Sequence, residues 1–174
     1  MKQLILILLL FPLCVFSQQN NYSLNFGESN GNYINISNNS NLNPSSGFTV
    51  SLWVKLNSIT GNQHLINKWL HNDGSGLEFI FAIESDGLYA HIGGNGDLNS
   101  CIPDVGAPSI TPLTDTWQYL SMSFDPSNCQ LSFFIGNGEE ITNTMQWNDC
   151  GAGWTSTNID LNIGGSSYDS NGTV

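Results

Sequence analysis

Two kinds of residue in this chain could do chemistry on a ligand: closely spaced carboxylates, and tryptophans outside any apolar repeat. Hydrolysis of a glycoside with retention needs two carboxyls about 5–5.5 Å apart. Residues at i and i+2 of a strand share a face, which makes Glu84 and Asp86 the nearest pair. They flank Ser85 and precede Gly87, however, so the segment reads as a turn bearing solvated carboxylates. Glu139-Glu140 follows Gly138 and reads as another exposed turn. No serine or cysteine nucleophile is recognisable. His64, His71 and His91 lie too far apart in sequence for a zinc motif and read as surface or edge histidines.

Calcium chemistry has better material. Ca²⁺ takes six to eight oxygens from carboxylates, amides and backbone carbonyls, and loops can supply them. Asn72-Asp73-Gly74 and Tyr168-Asp169-Ser170-Asn171 are two such loops, so Asn72, Asp73 and Asp169 are the expected ligands; the same residue types also make ordinary turns. Sugar binding would use exposed aromatic rings as stacking platforms. Trp69, Trp147, Trp154 and Tyr168 fall in segments read as loops and are the expected ligand-binding residues. Trp53 and Trp117 occupy strand positions and read as structural. Asn35-Ile36-Ser37 and Asn171-Gly172-Thr173 fit the glycosylation acceptor pattern, which a chain this rich in asparagine also yields by chance.

The elements that position these residues are strands. Apolar residues alternate with period 2 in FTVSLWVKL, where Phe48, Val50, Leu52, Val54 and Leu56 share one face. Thr49, Ser51, Trp53 and Lys55 take the other. Leu120, Met122 and Phe124 repeat the pattern, then Leu131, Phe133 and Ile135 after a turn at Asp125-Pro126-Ser127-Asn128. Gly136-Asn137-Gly138 offers positions tolerating positive φ for a second turn, and Ser85-Asp86-Gly87 joins two further runs. The spacing predicts strands over 22–26, 32–36, 47–56, 64–68, 77–84, 88–93, 117–124, 130–135 and 159–163. No window shows a helical period. Many short strands without helices mean an all-β sandwich or barrel in one domain.

Composition narrows the function classes. The formal net charge is −11, with 14 acidic residues against three of Lys plus Arg, and the sequence has no arginine. Such a surface repels phosphates, so nucleic acid is not an expected partner. Residues 1–17 read as a secretory signal peptide: Lys2, an apolar run from Leu4 to Phe16, then Ser17 before polar residues. A run of about thirteen residues is short against the roughly 20 of a membrane span. The mature chain is then 18–174, expected to be secreted or at a cell surface, with no membrane span. Export permits a disulfide among Cys101, Cys129 and Cys150. The loops carrying Cys101 and Cys150 lie at the same end of the 117–135 hairpin, opposite the turn that carries Cys129, which favours a Cys101–Cys150 pair.

SLNFG, YINI, FTVSLWVKL, HLINKW, FIFAIESDGLYAHIGG, the Trp117 hairpin ending in NGE, and LNIGG follow one another in an order that resembles laminin G-like domains. These belong with concanavalin A-like lectins and glucanases, and the resemblance covers nearly all of the mature chain. It implies an antiparallel two-sheet jelly-roll sandwich acting as a recognition module within a larger secreted protein. It also implies a further strand after LNIGG, so the domain is expected to lack its last strand, leaving Ser23 to Phe26 with an open edge. The glucanases carry a second glutamate near the first on one strand, and the segment after Glu84 supplies none. Pentraxin relatives bind calcium in loops matching Asn72, Asp73 and, more loosely, Asp169, but Ser51 and Ser121 stand where their disulfide would fall.

The expectation is therefore a secreted, non-catalytic module for a glycan or an extracellular protein, with Ca²⁺ as its candidate cofactor. Two alternatives stand beside it: an accessory or catalytic part of a polysaccharide-degrading glycoside hydrolase, and a structural adhesion segment. Fold analogy does not choose among the three.

Overall fold

The computed structural model describes residues 22–26, 32–44, 46–70, 76–84, 87–93, 105–107, 111–128, 130–136, 139–144 and 158–165. The strands run in chain order as β1 (Ile34–Ile36), β2 (Phe48–Lys55), β3 (Gln63–Leu70), β4 (Gly76–Glu84) and β5 (Gly87–Ile92), followed by β6 (Val105–Ala107), β7 (Trp117–Asp125), β8 (Gln130–Ile135), β9 (Glu139–Thr144) and β10 (Leu161–Ile163). Among the described residues, six form one sheet in the order β1-β10-β3-β4-β5-β6 and four form another, β2-β7-β8-β9. All strand pairs are antiparallel.

The period-2 pattern explains why the sheets stack. Directly opposed residues share a face, and Val50 pairs with Met122, which pairs with Phe133. That row and its neighbours supply the buried side of the smaller sheet: Leu120, Met122, Phe124, Leu131 and Phe133. Phe79, Phe81, Ile83, Leu88, Ala90 and Ile92 supply the other side. Rings meet across the gap, with Phe48 and Phe79 centroids 4.9 Å apart and Phe81 and Phe133 6.3 Å apart. At about 25 cal/mol per Å² of buried apolar surface, this layer dominates the folding energy.

Turn chemistry holds where the residues ask for it. Asp125 Oδ1 accepts from Ser127 N at 2.9 Å and from its hydroxyl at 2.6 Å, while Asn128 Nδ2 donates to Oδ2 at 2.7 Å. Gly136 adopts φ +43 to leave β8. Three expectations are corrected. Residues 22–26 form no strand, and Tyr22 is 94% exposed, with no strand partner for the segment among the described residues. Glu139 and Glu140 belong to β9 rather than a turn, in register with Ile135 and Phe134. Val105–Ala107 is a short strand beside β5 that the sequence does not announce.

Two register shifts shape β3. His64 pairs with Ala82 and Ile66 with Phe81, so Leu65 is an extra residue, and both Leu65 and Ile66 turn to the core. Further along, Lys68 pairs with Phe79 and Trp69 with Leu77, which makes Glu78 the extra residue on β4. Residues 1–17, expected to be a signal peptide, and Cys101, Cys129 and Cys150, expected to carry a disulfide, lie outside the described residues.

Candidate functional site

The outer face of the four-stranded sheet is built from the residues that alternate away from the core. On β2 these are Thr49, Ser51, Trp53 and Lys55; on β7, Trp117, Tyr119, Ser121, Ser123 and Asp125. The register sets them in rows: Thr49 with Ser123, Ser51 with Ser121, Trp53 with Tyr119 and Lys55 with Trp117. A strand rise of about 3.4 Å per residue makes the face roughly 20 Å long from Thr49 to Lys55. Trp53 is 66% exposed and Trp117 52% exposed. The Trp53 and Tyr119 rings meet at 5.9 Å with an interplanar angle of 62°, edge against face.

Beyond the rings lie paired hydroxyls. Thr49 Oγ1 and Ser123 Oγ are 3.0 Å apart, and Ser51 Oγ and Ser121 Oγ 2.9 Å. Ser121 Oγ also donates to the Val50 carbonyl at 3.0 Å. Its one proton is thereby used, so Ser51 is the donor in the Ser51–Ser121 bond and keeps lone pairs facing outward. An open trough of about 300 Å³ runs here, lined by Thr49, Tyr119, Ser121, Ser123, Phe134 and Ile135. This arrangement can stack on an apolar ring face while exchanging hydrogen bonds with hydroxyls.

The outer face of the six-stranded sheet is organised differently. Asn35 Nδ2 donates to Asn162 Oδ1 at 3.0 Å, Asn162 Nδ2 to Asn67 Oδ1 at 3.5 Å, and Asn67 Nδ2 to the Gly165 carbonyl at 2.7 Å. His64 Nδ1 lies 3.4 Å from Asn67 Nδ2 and so faces it as an acceptor. Trp69 and Tyr89 pack down on buried Ile80 and Ala82. These amides satisfy one another, and the network holds the strand register.

At the edge of the core, Lys68 and Glu78 form an ion pair at 3.0 Å with side chains only 1% and 0% exposed. Lys68 Nζ also donates to Asn43 Oδ1 at 2.6 Å, the Leu42 carbonyl at 3.0 Å and Asn38 Oδ1 at 3.2 Å. Asn38 N in turn donates to Asp160 Oδ1 at 2.9 Å. A buried ammonium needs such a full set of acceptors. This cluster serves the fold rather than a ligand.

The expected site residues divide accordingly. Trp69 is in strand β3 rather than a loop, since the bulge at Glu78 lets the strand continue to Leu70, and its ring lies 5.7 Å from that of His64. Asn72, Asp73, Trp147, Trp154, Tyr168 and Asp169 lie outside the described residues, as does Asp86. Among the described residues, no three of His, Cys, Asp and Glu gather as a metal-holding group. Also among them, no helix is long and apolar enough to cross a membrane. Trp53 and Trp117, expected to be structural, are instead the exposed aromatics of the four-stranded sheet. The alternation that places Trp53 opposite Val54 and Leu52 was the signal for this.

With the two sheets and their outer faces defined, relatives can be compared. A laminin G-type family model, described as the concanavalin A-like lectin/glucanases superfamily, matches residues 27–173. The chain belongs to the concanavalin A-like lectin/glucanase superfamily. No curated protein matches this superfamily member's sequence. Among solved structures, it is similar to the ligand-binding domain of botulinum neurotoxin serotype D, solved in complex with N-acetylneuraminic acid. The identity is 16% and the TM-score 0.56, covering 86% of this chain and 38% of that one. It is also similar to the IT-sialidase CBM40 of Ruminococcus gnavus, solved with alpha2,3 sialyllactose, at 20% identity and TM-score 0.49. That match covers 74% of this chain and 68% of the other. The chain thus spans well under two thirds of the neurotoxin domain, and the likeness to that domain concerns the fold.

Proposed function

We propose that this chain is a secreted, non-catalytic module that binds carbohydrate on the outer face of its four-stranded sheet. One observation carries the reading: Trp53 and Trp117 stand exposed on the same face as Tyr119 and two rows of hydroxyls. A tryptophan more than half exposed on the side away from the core contributes little to folding, whereas a sugar ring offers it an apolar face and the hydroxyls a polar rim. Membership of a superfamily of lectins and glucanases and the neurotoxin domain's sugar complex support the same class of ligand. Against catalysis, Glu84 closes a hairpin opposite Gly87, as a turn carboxylate would. Export rests on the apolar run from Leu4 to Phe16. The outer face offers hydroxyls and rings rather than a cluster of carboxylates, so its binding should survive chelation of calcium.

The test is a polysaccharide array probed with the wild-type chain and with a Trp53→Ala, Trp117→Ala double variant, each with and without chelator. Retention of the wild type and loss in the double variant, with unchanged circular dichroism, is the expected result. Equal retention of both proteins would place binding elsewhere on the molecule. Capture of a protein ligand with no glycan retained at all would overturn the carbohydrate reading.

A further inference from the structure

Resting on the carbohydrate reading, we infer that the ligand is an uncharged polysaccharide, without carboxylate, sulfate or phosphate groups. The first argument is the supply of cations. The sequence has Lys2, Lys55 and Lys68 and no arginine. Lys68 is sealed beside Glu78 and spends its protons on four acceptors. Among the described residues that leaves Lys55 as the one exposed strong base, at the Trp117 end of the face. Bidentate recognition of a carboxylate is the task arginine's planar fork performs, and a single lysine is a poor substitute.

The second argument counts protons and is independent of net charge. An anionic group accepts hydrogen bonds and donates none, so its site must present donors. On this face Ser121 directs its proton to Val50 O, and Ser51 directs its own to Ser121. The Thr49–Ser123 pair has two protons, of which one lies between the two oxygens. One outward O–H remains from four hydroxyls, and the backbone N–H groups of the inner strand β7 are taken by the ladder on both sides. The hydroxyl rows therefore show a ligand mainly lone pairs, and the donors of the face are the Tyr119 hydroxyl, the Trp53 and Trp117 indole N–H groups and Lys55. Sugar hydroxyls, which both donate and accept, match this mixture, whereas a carboxylate finds few donors in the hydroxyl rows.

The third argument is local charge. Asp125 lies at the far end of the same face. Its pKa is lowered by hydrogen bonds from the Ser127 side chain, the Asn128 side chain and the Ser127 backbone, so it stays ionised. Within a screening length of about 8–10 Å, that charge repels an anionic chain. The sialylated ligands of the two similar structures would meet this face at its least suitable.

Affinity electrophoresis separates the possibilities, using the intact chain in gels of neutral polysaccharides (a glucan, a mannan, a galactan, a xylan) and of anionic ones (polygalacturonate, alginate, polysialic acid). Retardation by at least one neutral polymer and none of the anionic set is expected. The dissociation constant should be unchanged from about 50 to 500 mM salt, because no ion pair is screened. Trp53→Ala should weaken it about ten-fold. Retention by an anionic polymer that falls with salt and vanishes in Lys55→Gln would overturn the uncharged-ligand inference and leave the carbohydrate reading standing. Retention by neither set would overturn both.

Discussion

Trp53 and Tyr119 are register partners across β2 and β7, and their rings meet at 5.9 Å on the side of the sheet that faces away from the core. The pair is held by the strands beneath it, so a ligand meets rings that need little reordering.

Because the core lies on the other side, the pair should matter to binding and little to stability. Trp53→Ala is expected to change unfolding free energy by no more than about 0.5 kcal/mol, as at other exposed positions. Phe133→Ala, at a fully buried position facing Phe81, should cost about 3–5 kcal/mol. Urea unfolding of both variants checks the contrast, and a large loss in Trp53→Ala would make that ring structural after all.

Lys68→Met should be among the most damaging single changes, since it strands the buried Glu78 carboxylate and three oxygens that accept from Nζ. Breaking one side of a buried pair costs about 3–5 kcal/mol. Replacing both partners, as Lys68→Met with Glu78→Leu, should recover much of it. A double-mutant cycle in urea measures the coupling, and simple additivity of the two losses would deny it.

Asp125 makes the hairpin turn pH-sensitive at the acid end. Its folded-state pKa lies below the ordinary 3.8, through hydrogen bonds from Ser127 and Asn128. Its contribution is therefore present above that ordinary value and is lost as pH falls through the lowered one. Asp125→Ala should flatten the fall in midpoint below pH 4 relative to wild type, and thermal melts from pH 7 to pH 2 would show this. Parallel curves for the two proteins would refute it.

Gly164, directly after β10, has φ +80, and a Cβ there would run into the Phe26 ring. Its N–H donates to Leu65 O at 3.0 Å, so the backbone is not free to move aside. Gly164→Ala should cost more than about 1 kcal/mol, combining left-handed strain with the clash. In a Phe26→Ala background the same change should cost less, leaving the backbone share. Equal costs in both backgrounds would remove Phe26 from the account.

What the sequence made legible follows burial. The runs at Phe48, Leu120 and Leu131 alternate in sequence because one side of each strand faces the core, and the core side lies where alternation puts it, although Ser121 and Ser132 on the other side are covered as well. β9 was missed because Glu139-Glu140-Ile141-Thr142 carries too little apolar alternation to stand out. β3 defeats the period differently: Leu65 and Ile66 are adjacent yet both turn inward, and Lys68 shares a face with Phe79. A lysine and a glutamate ten positions apart look like solvated charges until a fold brings them together. The candidate platform was half legible, since the rows were readable from alternation but the worth of the wet face was not. A strand position says which side a tryptophan takes, and only the packed sheets show which side is dry.

The acceptors that meet Lys68 have a consequence in time. Asn38, Leu42 and Asn43 precede it by 25 to 30 residues, and Glu78 comes from the next strand. Such contacts form only once β3 and β4 have paired and the 38–43 segment lies over them. Interactions absent from the transition state act on the unfolding rate and leave the folding rate nearly untouched. If the cluster closes after the transition state, Lys68→Met should speed unfolding and leave the folding rate nearly unchanged, a split that the two arms of a chevron plot read directly.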